Sequence, residues 1–318
     1  MSLIDDQIKQ FEALDVPQTK QPDFDAFWAD TLAAVNGKPL DVQGGRIDYP
    51  ISRLDVRDIT YSGLDGTRVK AWLILPPEAK TRNVPCIAAY HGASGSRGTP
   101  AWFTQYTSMG CAVVTMDFRM QGGLTGSDTG FLGSSKLGWT ALGVTDKRTS
   151  YYYHVLTDGL RLLRVAKETQ GIDPKRIAVE GGSQGGGTAL TMAALDTDVA
   201  LCLADVPSSC WFEKRLLDRT GGAADIANFI RIHPELVDDV MKTLSYFDNI
   251  NLAPRITCPV FVSCGMKDNV CPPECVYAAY NKITSEKRIV PYPYAEHSGG
   301  EWRQQDKKLA YLRDKFAL

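Results

Sequence analysis

The stretch RIAVEGGSQGGGTALTMAAL, residues 176–195, decides the fold class of this 318-residue chain. An apolar run precedes Ser183, glycines flank it on both sides, and an alanine-rich helical pattern follows. A strand that ends in a sharp turn and continues as a helix lifts a serine hydroxyl above a sheet, and flanking glycines relieve crowding at the turn. The pattern Gly-x-Ser-x-Gly at 181–185 therefore indicates that Ser183 is a nucleophile.

Two other kinds of glycine-rich site fit this stretch less well. A phosphate-binding loop closes with Lys followed by Ser or Thr, and GGSQGGGTAL contains no such pair. A dinucleotide-binding loop has the pattern Gly-x-Gly-x-x-Gly, and residues 181–186 lack its middle glycine. A glycine-rich turn without chemistry remains as the third alternative. The presence or absence of catalytic partners for Ser183 has to decide it.

Short apolar runs alternate with helical patterns on both sides of this stretch. We expect residues 56–63 and 69–76 to pair as an antiparallel hairpin across the turn signal LDGT. Buried parallel strands are expected at 84–92, 111–118, 176–182, 199–207, 259–265 and 287–294. Helices are expected at about 101–109, 151–169, 185–195, 273–283 and 302–316. This order predicts an α/β fold, with a mostly parallel central sheet and helices on both faces. Together with the Gly-x-Ser-x-Gly turn between a strand and a helix, it leads us to expect an α/β-hydrolase fold.

Three intervals interrupt the alternation of strands and helices. Residues 1–55 precede the hairpin as an N-terminal extension, and a glycine-rich irregular loop covers about 117–150. Residues 208–250 show helical patterns without a strand, so we expect a small helical cap above the sheet. We call this range the cap insertion. The prediction is therefore a single domain over residues 1–318.

A serine nucleophile needs a base, and the chain has four histidines. In the α/β-hydrolase fold the triad follows the chain order serine, acid, histidine. His91 and His154 precede the serine, and His233 falls within the cap insertion. His297 follows the last predicted strand, on a loop at the carboxyl edge of the sheet, and is therefore the predicted base.

The acid that orients the histidine is expected after the penultimate strand. Asp268 occupies this place, between Ser183 and His297, in the stretch VFVSCGMKDNVCPP. Asp205, at the end of an earlier strand, is the second candidate.

An oxyanion hole requires two N–H donors. The backbone of Gln184, directly after the nucleophile, is the first candidate. Tyr90, in AAYHG after an early strand, is the second, and its phenol is expected near the bound acyl carbonyl. The alternative is that Tyr-His-Gly only ends a strand.

Composition excludes several classes of partner. With 35 basic and 37 acidic residues, the net charge of −2 predicts no binding to nucleic acid or to an anionic membrane. The first residues lack an apolar signal region and no run reaches about 18 apolar residues, so we expect a cytoplasmic protein.

Eight cysteines are scattered through apolar runs, where they are expected to pack. The close pair Cys271 and Cys275 lacks the further ligands of a zinc site, and no metal is expected.

With these residues assembled, the sequence resembles the acetyl xylan esterase / cephalosporin-C deacetylase family, carbohydrate esterase family 7. The resemblance rests on PDFDAFW, AAYHG, LGWTALGVTDKRTSYYYHVLTDGLRLL, VEGGSQGGG, MKTLSYFDNINLA, PVFVSCGMKDNVCPP and VYAAYNKI, which cover almost the whole chain. It implies a triad of Ser183, Asp268 and His297, an oxyanion hole from the Tyr90 and Gln184 backbone, and no cofactor.

The resemblance also implies a reaction and an assembly. The expected reaction is removal of short acyl groups, chiefly acetyl, from sugars and from cephalosporin C, through an acetyl-enzyme. The expected assembly is a ring-shaped homohexamer whose active sites face the interior, so that acetylated xylo-oligosaccharides are the usual substrates.

Two positions depart from the family pattern. The family has Arg-Gly-Gln where this chain has Arg119, Met120 and Gln121, and it has Glu where this chain has Ser298 after the catalytic histidine. Because that Glu is expected to support the Arg, we predict a rebuilt environment in which Glu296 or Glu301 faces Arg119.

Three other functions compete with this prediction. An esterase with a different short-chain acyl preference would share every residue above. A peptidase of the prolyl-oligopeptidase type would share the fold, but the 50 or so residues before the hairpin are too few for its gating domain. A catalytically silent hydrolase-fold binding protein would typically lose a triad member, and none is missing here.

Overall fold

The computed structural model describes residues 3–131 and 137–318. Within these residues, nine strands form one sheet in the order β1-β2-β3-β5-β4-β6-β7-β8-β9. Their bounds are β1 Gln43–Arg46, β2 Asp55–Ser62, β3 Arg68–Leu75, β4 Val84–Tyr90, β5 Ala112–Met116, β6 Ile172–Gly182, β7 Val199–Asp205, β8 Val260–Gly265 and β9 Lys287–Tyr292. The predicted α/β-hydrolase fold is confirmed.

Pairing in the sheet changes from antiparallel to parallel at β5. Strands β2 and β3 form the predicted hairpin, with Asp55 opposite Leu75, and β3 also pairs antiparallel with β5. From β5 through β4, β6, β7 and β8 to β9 every pair is parallel. The carboxyl ends of these six strands therefore meet at one edge, where an α/β sheet binds its ligand.

Eleven α-helices lie within the described ranges. Their bounds are α1 Leu3–Glu12, α2 Phe24–Gly37, α3 Thr104–Ser108, α4 Tyr151–Glu168, α5 Gln184–Leu195, α6 Phe212–Asp218, α7 Ala223–Ile232, α8 Val237–Ser245, α9 Asn249–Leu252, α10 Pro273–Lys282 and α11 Glu301–Phe316. The five predicted helices agree with α3, α4, α5, α10 and α11, except that a 3-10 turn at Pro100–Phe103 replaces the start of the first.

Apolar side chains cover both faces of the sheet, because successive strand residues point to opposite sides. In β4, Cys86 and Ala88 belong to the larger core, which includes side chains of α4, α5 and α10. Ile87, between them, belongs to the smaller core, beside Leu312 and Phe316 of α11. Strands buried on both faces account for the near-continuous apolar runs in the sequence.

Two regions contain structure that the sequence patterns did not predict. The N-terminal extension holds α1, α2 and the edge strand β1, and α2 buries Trp28 completely. The predicted loop at 117–150 includes a 3-10 turn at Trp139–Ala141. Part of this loop, residues 132–136, lies outside the described residues.

The cap insertion begins and ends at nearly the same point. Its helices α6, α7 and α8 separate Ser209 from Asn249 by 40 positions in sequence, yet the Asn249 N–H donates to the Ser209 carbonyl at 2.8 Å. The Asn249 amide also donates to the carbonyls of Gly187 and Ser208, at 3.2 and 3.3 Å. Both ends of the insertion are thus held against α5, the helix that follows Ser183.

Candidate active site

Ser183 lies on a strained turn between β6 and α5. Its backbone has φ 59° and ψ −119°, a conformation that side chains larger than glycine rarely adopt. Glycines make the turn possible, because a Cβ on Gly185 would lie 1.9 Å from the Tyr90 carbonyl oxygen. The Ser183 N–H donates to the Asp205 carbonyl at 2.9 Å, which holds the turn to the end of β7. The strain is typical of an exposed nucleophile.

The structure brings the three predicted triad residues together. The Oγ of Ser183 lies 2.9 Å from Nε2 of His297, and Nδ1 of His297 lies 2.8 Å from Oδ2 of Asp268. These distances suit proton transfer from the serine to a histidine whose other nitrogen is held by a carboxylate. His297 lies on the loop between β9 and α11, and Asp268 on the loop after β8.

Asp268 is oriented by backbone donors. Its Oδ1 accepts hydrogen bonds from the N–H groups of Val270 and Cys271, at 2.7 and 2.9 Å, so that Oδ2 is left for His297. The residue is 4% exposed, and this burial keeps water from competing for the carboxylate.

The second candidate acid, Asp205, has a different partner. Its carboxylate contacts the ammonium of Lys308, which is 3% exposed and also lies 2.9 Å from Glu180. Asp205 therefore joins α11 to the sheet, and Asp268 is the acid at His297.

The structure changes the prediction for the second oxyanion donor. Tyr90 is the last residue of β4, in register with Gly181 of β6, and its phenol donates to the Gly159 carbonyl at 3.1 Å. The phenol is therefore buried in the core, and the prediction that it lies near the acyl carbonyl is wrong. Ala93, three residues later, instead lines a cavity together with Ser183 and Gln184.

The N–H groups of Ala93 and Gln184 are both available to an oxyanion. The Ala93 N–H has no acceptor among the described residues. Gln184 is the first residue of α5, so its N–H lacks an intrahelical acceptor. The sequence feature that points to Ala93 is its place in the loop directly after β4, whereas the prediction gave the role of second donor to Tyr90, the last residue of that strand.

Gln121 connects the two segments that carry these donors. Its Oε1 accepts from the N–H of Ser94 at 2.9 Å, and Ser94 directly follows Ala93. Its Nε2 donates to the side-chain oxygen of Gln184 at 3.0 Å and to the Tyr151 hydroxyl at 2.8 Å. Gln121 therefore sets the spacing between the loop after β4 and the start of α5.

Arg119 is fully buried and paired with two carboxylates. Its guanidinium donates to Asp158 at 2.8 and 2.9 Å and to Asp65 at 2.8 and 3.2 Å. The prediction that Glu296 or Glu301 faces Arg119 is wrong. Both glutamates are exposed, and Asp65 and Asp158, which are distant from Arg119 in sequence, supply the negative charges. Burial acts to raise the pKa of Asp65, but hydrogen bonds from Arg119 and Thr129 outweigh it and hold that pKa below its usual value.

Two open spaces adjoin Ser183. The first, which we call the inner cavity, has a volume of about 70 Å³ and is lined by Gln184, Phe212 and Arg215, among others. The second, the outer cleft, has about 470 Å³ and is bordered by His297 and by Trp102, whose side chain is 67% exposed. The cap insertion thus forms one wall of the inner cavity, and the outer cleft offers an aromatic surface to a larger group.

The Cys271 thiol is a second nucleophilic atom in the inner cavity. Burial raises the pKa of this thiol to about 11, although Arg215 and a hydrogen bond with Ser183 lower it. The thiol is therefore neutral near pH 7 and leaves the serine as the nucleophile.

Across 3–131 and 137–318, no group of three or more His, Cys, Asp and Glu side chains is placed to hold a metal ion. In the same ranges, no helix has both the length and the apolar character to cross a bilayer. All eight cysteines are buried and free.

Comparison with known proteins identifies the family. The sequence pattern of the acetyl xylan esterase (AXE1) family matches residues 1–315. The chain belongs to the acetyl xylan esterase family. An acetyl xylan esterase structure from Paenibacillus sp. R4 is 34% identical, with a TM-score of 0.92 and 99% of each chain covered. Acetyl xylan esterase 1 from Thermoanaerobacterium sp. JW/SL YS485 is 28% identical, with a TM-score of 0.90 and the same coverage.

A longer relative is the acetyl esterase Axe7A of Xylanibacter ruminicola, which is 29% identical over 288 residues. The match covers 88% of this chain but 64% of that esterase, so the chain spans less than two thirds of its length. An acylaminoacyl peptidase from Pyrococcus horikoshii, at 15% identity and a TM-score of 0.60, shares the fold alone.

Proposed function

We propose that this member of the acetyl xylan esterase family is a serine esterase that removes acetyl groups from sugars. The observation that carries the proposal is the hydrogen-bonded series from Ser183 through His297 to Asp268, at 2.9 and 2.8 Å. The proposed substrates are acetylated xylo-oligosaccharides and related sugars, together with cephalosporin C. Family membership supports the acetyl group, and the outer cleft with Trp102 provides a surface on which a sugar can stack.

The geometry supports a two-step mechanism. His297 accepts the Ser183 proton as the hydroxyl attacks the ester carbonyl, while Asp268 holds the imidazole tautomer and stabilises the imidazolium. The oxyanion accepts hydrogen bonds from the N–H groups of Gln184 and Ala93. The sugar alcohol leaves with the proton from His297, and water then hydrolyses the acetyl-enzyme with the same histidine as base.

The direct test is removal of the nucleophile. Ser183→Ala is expected to lower kcat with a chromogenic acetate by a factor on the order of 10⁴ or more. Ser285→Ala is the matched control, since the Ser285 hydroxyl donates to the Cys258 carbonyl away from the site. A Ser183→Ala enzyme with wild-type turnover would refute the assignment.

Substrate range separates the proposed function from its rivals. Acetyl, propionyl and butyryl esters of xylo-oligosaccharide and of deacetylcephalosporin C should show the highest kcat/KM for acetyl. A higher value for propionyl or butyryl would favour an esterase with a different acyl preference. A catalytically silent binding protein would give no burst of product with a chromogenic acetate, whereas the acetyl-enzyme mechanism predicts acylation of Ser183.

The proposal also includes an oligomeric state and a cellular compartment. We expect a homohexamer with the active sites turned inward, which sedimentation velocity measures directly. We also expect a reducing compartment such as the cytoplasm, because eight buried free thiols suit such an environment.

A further inference from the structure

Arg215 places a positive charge in the wall of the inner cavity. The residue belongs to α6 of the cap insertion and is 4% exposed. Its side chain lines the cavity that Ser183 and Gln184 also line. A buried guanidinium costs free energy unless anions or hydrogen-bond acceptors compensate the charge. The contacts of Arg215 therefore show whether the protein compensates this charge or leaves it available to a ligand.

The protein supplies hydrogen-bond acceptors to only part of this guanidinium. Its Nε lies 3.4 Å from the Thr220 hydroxyl, and its Nη2 lies 3.4 Å from the Thr220 carbonyl and 3.0 Å from the Val270 carbonyl. Nη1 has no hydrogen-bond partner among the described residues. Three contacts with neutral oxygens, two of them long, leave the positive charge without an anion.

No carboxylate in the described ranges lies within 4.0 Å of Arg215, and the stretches outside them contain no acidic residue. Asp248 is buried nearby, but it accepts from the N–H groups of Trp211, Phe212 and Ile250 at 2.7 to 3.0 Å. Asp225, in α7, accepts a hydrogen bond from the Thr140 hydroxyl at 3.2 Å. Neither aspartate forms an ion pair with Arg215.

Other buried arginines of the chain are compensated more completely. Arg119 pairs with Asp65 and Asp158, and Arg97 lies 2.8 Å from Asp58. Arg161, which has no carboxylate partner, donates from all three nitrogens to backbone carbonyls. Arg215 differs from these because it borders the cavity at the nucleophile and keeps an unused nitrogen.

We propose that Arg215 binds a carboxylate of the ester substrate in the inner cavity, which makes acidic esters the preferred substrate class. The inference rests on the proposed esterase function and narrows it to acetylated sugar acids and related esters. A carboxylate on the alcohol part corresponds to an acetylated sugar acid. A carboxylate on the acyl part corresponds to a half-ester of a short dicarboxylic acid, and the same charge on Arg215 would bind it.

Matched pairs of esters test the preference and separate the two sources. Acetoxyacetate and its methyl ester differ by a charge on the alcohol part. The 4-nitrophenyl esters of hydrogen succinate and of methyl succinate differ by a charge on the acyl part. In at least one pair, the wild-type kcat/KM should be about tenfold or more higher for the charged ester, the range expected for a charge-assisted hydrogen bond. Equal values within both pairs would overturn the proposal.

Variants at Arg215 assign the preference to this residue. Arg215→Met should abolish the preference by lowering kcat/KM for the charged ester to the value for its neutral match, and thermal denaturation reports whether the variant is folded. Arg215→Lys keeps the charge and should retain part of the preference. Arg313→Met, at an exposed arginine beside Asp314, is the control for loss of a positive charge and should keep the full preference. Retention of the full preference in Arg215→Met would overturn the proposal.

Binding without turnover separates this proposal from the function on which it rests. In Ser183→Ala, calorimetric titration should show about tenfold or tighter binding of the charged ester than of its neutral match, and no difference in Ser183→Ala/Arg215→Met. If the wild type hydrolyses no ester but this binding difference is present, the proposed function fails and the Arg215 site stands. If hydrolysis is normal but neither pair shows a binding difference, the Arg215 proposal fails alone.

Discussion

The side-chain amide of Gln121 lies 3.0 Å from that of Gln184 and joins the two backbone segments that supply the oxyanion donors. The Oε1 of Gln121 accepts a hydrogen bond from the N–H of Ser94, which is next to Ala93. Its side-chain hydrogen bonds go to Ser94, Tyr151 and Gln184 and not to Ser183 or His297, so we expect Gln121 to position the donors.

Gln121→Ala should lower kcat by about tenfold and leave KM nearly unchanged, because the donors would be misplaced where charge develops in the transition state. The loss should be smaller than the roughly 100-fold or greater effect of losing a donor itself. Steady-state kinetics with a chromogenic acetate measures this. Gln305→Ala, which removes a hydrogen bond to the Tyr106 hydroxyl, is the matched control. Equal kinetic effects of the two substitutions would contradict the assigned role.

Substitution of the two candidate acids should give opposite results. Asp268→Asn should lower kcat by about 10⁴-fold, because an amide at Nδ1 favours the wrong imidazole tautomer. Asp205→Asn should change kcat by less than about threefold but lower the free energy of unfolding by about 2 kcal/mol, since the buried Lys308 loses one of its two carboxylates. Kinetics and urea denaturation of both variants would detect a reversal of these roles.

His154 should make stability depend on pH. Burial lowers its pKa to about 4, with help from the Arg119 charge and against the attraction of Asp65. The unfolded chain binds the proton near pH 6.5 and the folded chain only near pH 4, so stability is full above pH 6.5 and falls as the pH drops through this window. Between pH 7 and pH 5 the loss from this residue should be about 2 kcal/mol.

The matched comparison is His154→Gln, whose amide cannot titrate. Its stability should fall by about 2 kcal/mol less than that of the wild type between pH 7 and pH 5, as measured by urea denaturation at each pH. Parallel pH profiles of the two proteins would show that His154 does not carry this dependence.

Met120 occupies a backbone conformation that suits glycine. Its φ is 59°, and its side chain is 42% exposed and therefore contributes little packing. Met120→Gly should be about 1 kcal/mol more stable than Met120→Ala, because only glycine adopts this φ without steric cost. Thermal and urea denaturation of the two variants test this order, which is the reverse of the order expected in a helix. Alanine equal to or above glycine would show that the backbone relaxes in the variants.

The sequence predicted the sheet, and it predicted that Ser183, Asp268 and His297 lie together, because both follow from local patterns and chain order. Apolar runs bounded by Gly or Pro marked β4 to β9, and the order serine, acid, histidine selected Asp268 and His297 for the positions where the structure brings them together. Short-range patterns were sufficient, because each triad residue follows a strand directly.

The partners of Arg119 and the second oxyanion donor could not be predicted in this way. Asp65 and Asp158 are 54 and 39 positions from Arg119 in sequence, and only packing brings them to the same guanidinium. Tyr90 and Ala93 are three residues apart on one strand-to-loop transition, so their roles depend on where β4 ends. The sequence contains no pattern that distinguishes a residue whose aromatic ring is buried from one whose backbone N–H is exposed.

The two ends of the cap insertion meet at Asn249, which hydrogen-bonds to Ser209 and to Gly187 on the helix behind the nucleophile. Amino-acid substitutions between these ends should alter the inner cavity without displacing the turn that carries Ser183. We therefore expect substitutions to change substrate preference and catalytic geometry separately. A single substitution at position 215 should remove the positive charge while the hydrogen bonds from Ser183 through His297 to Asp268 stay in place.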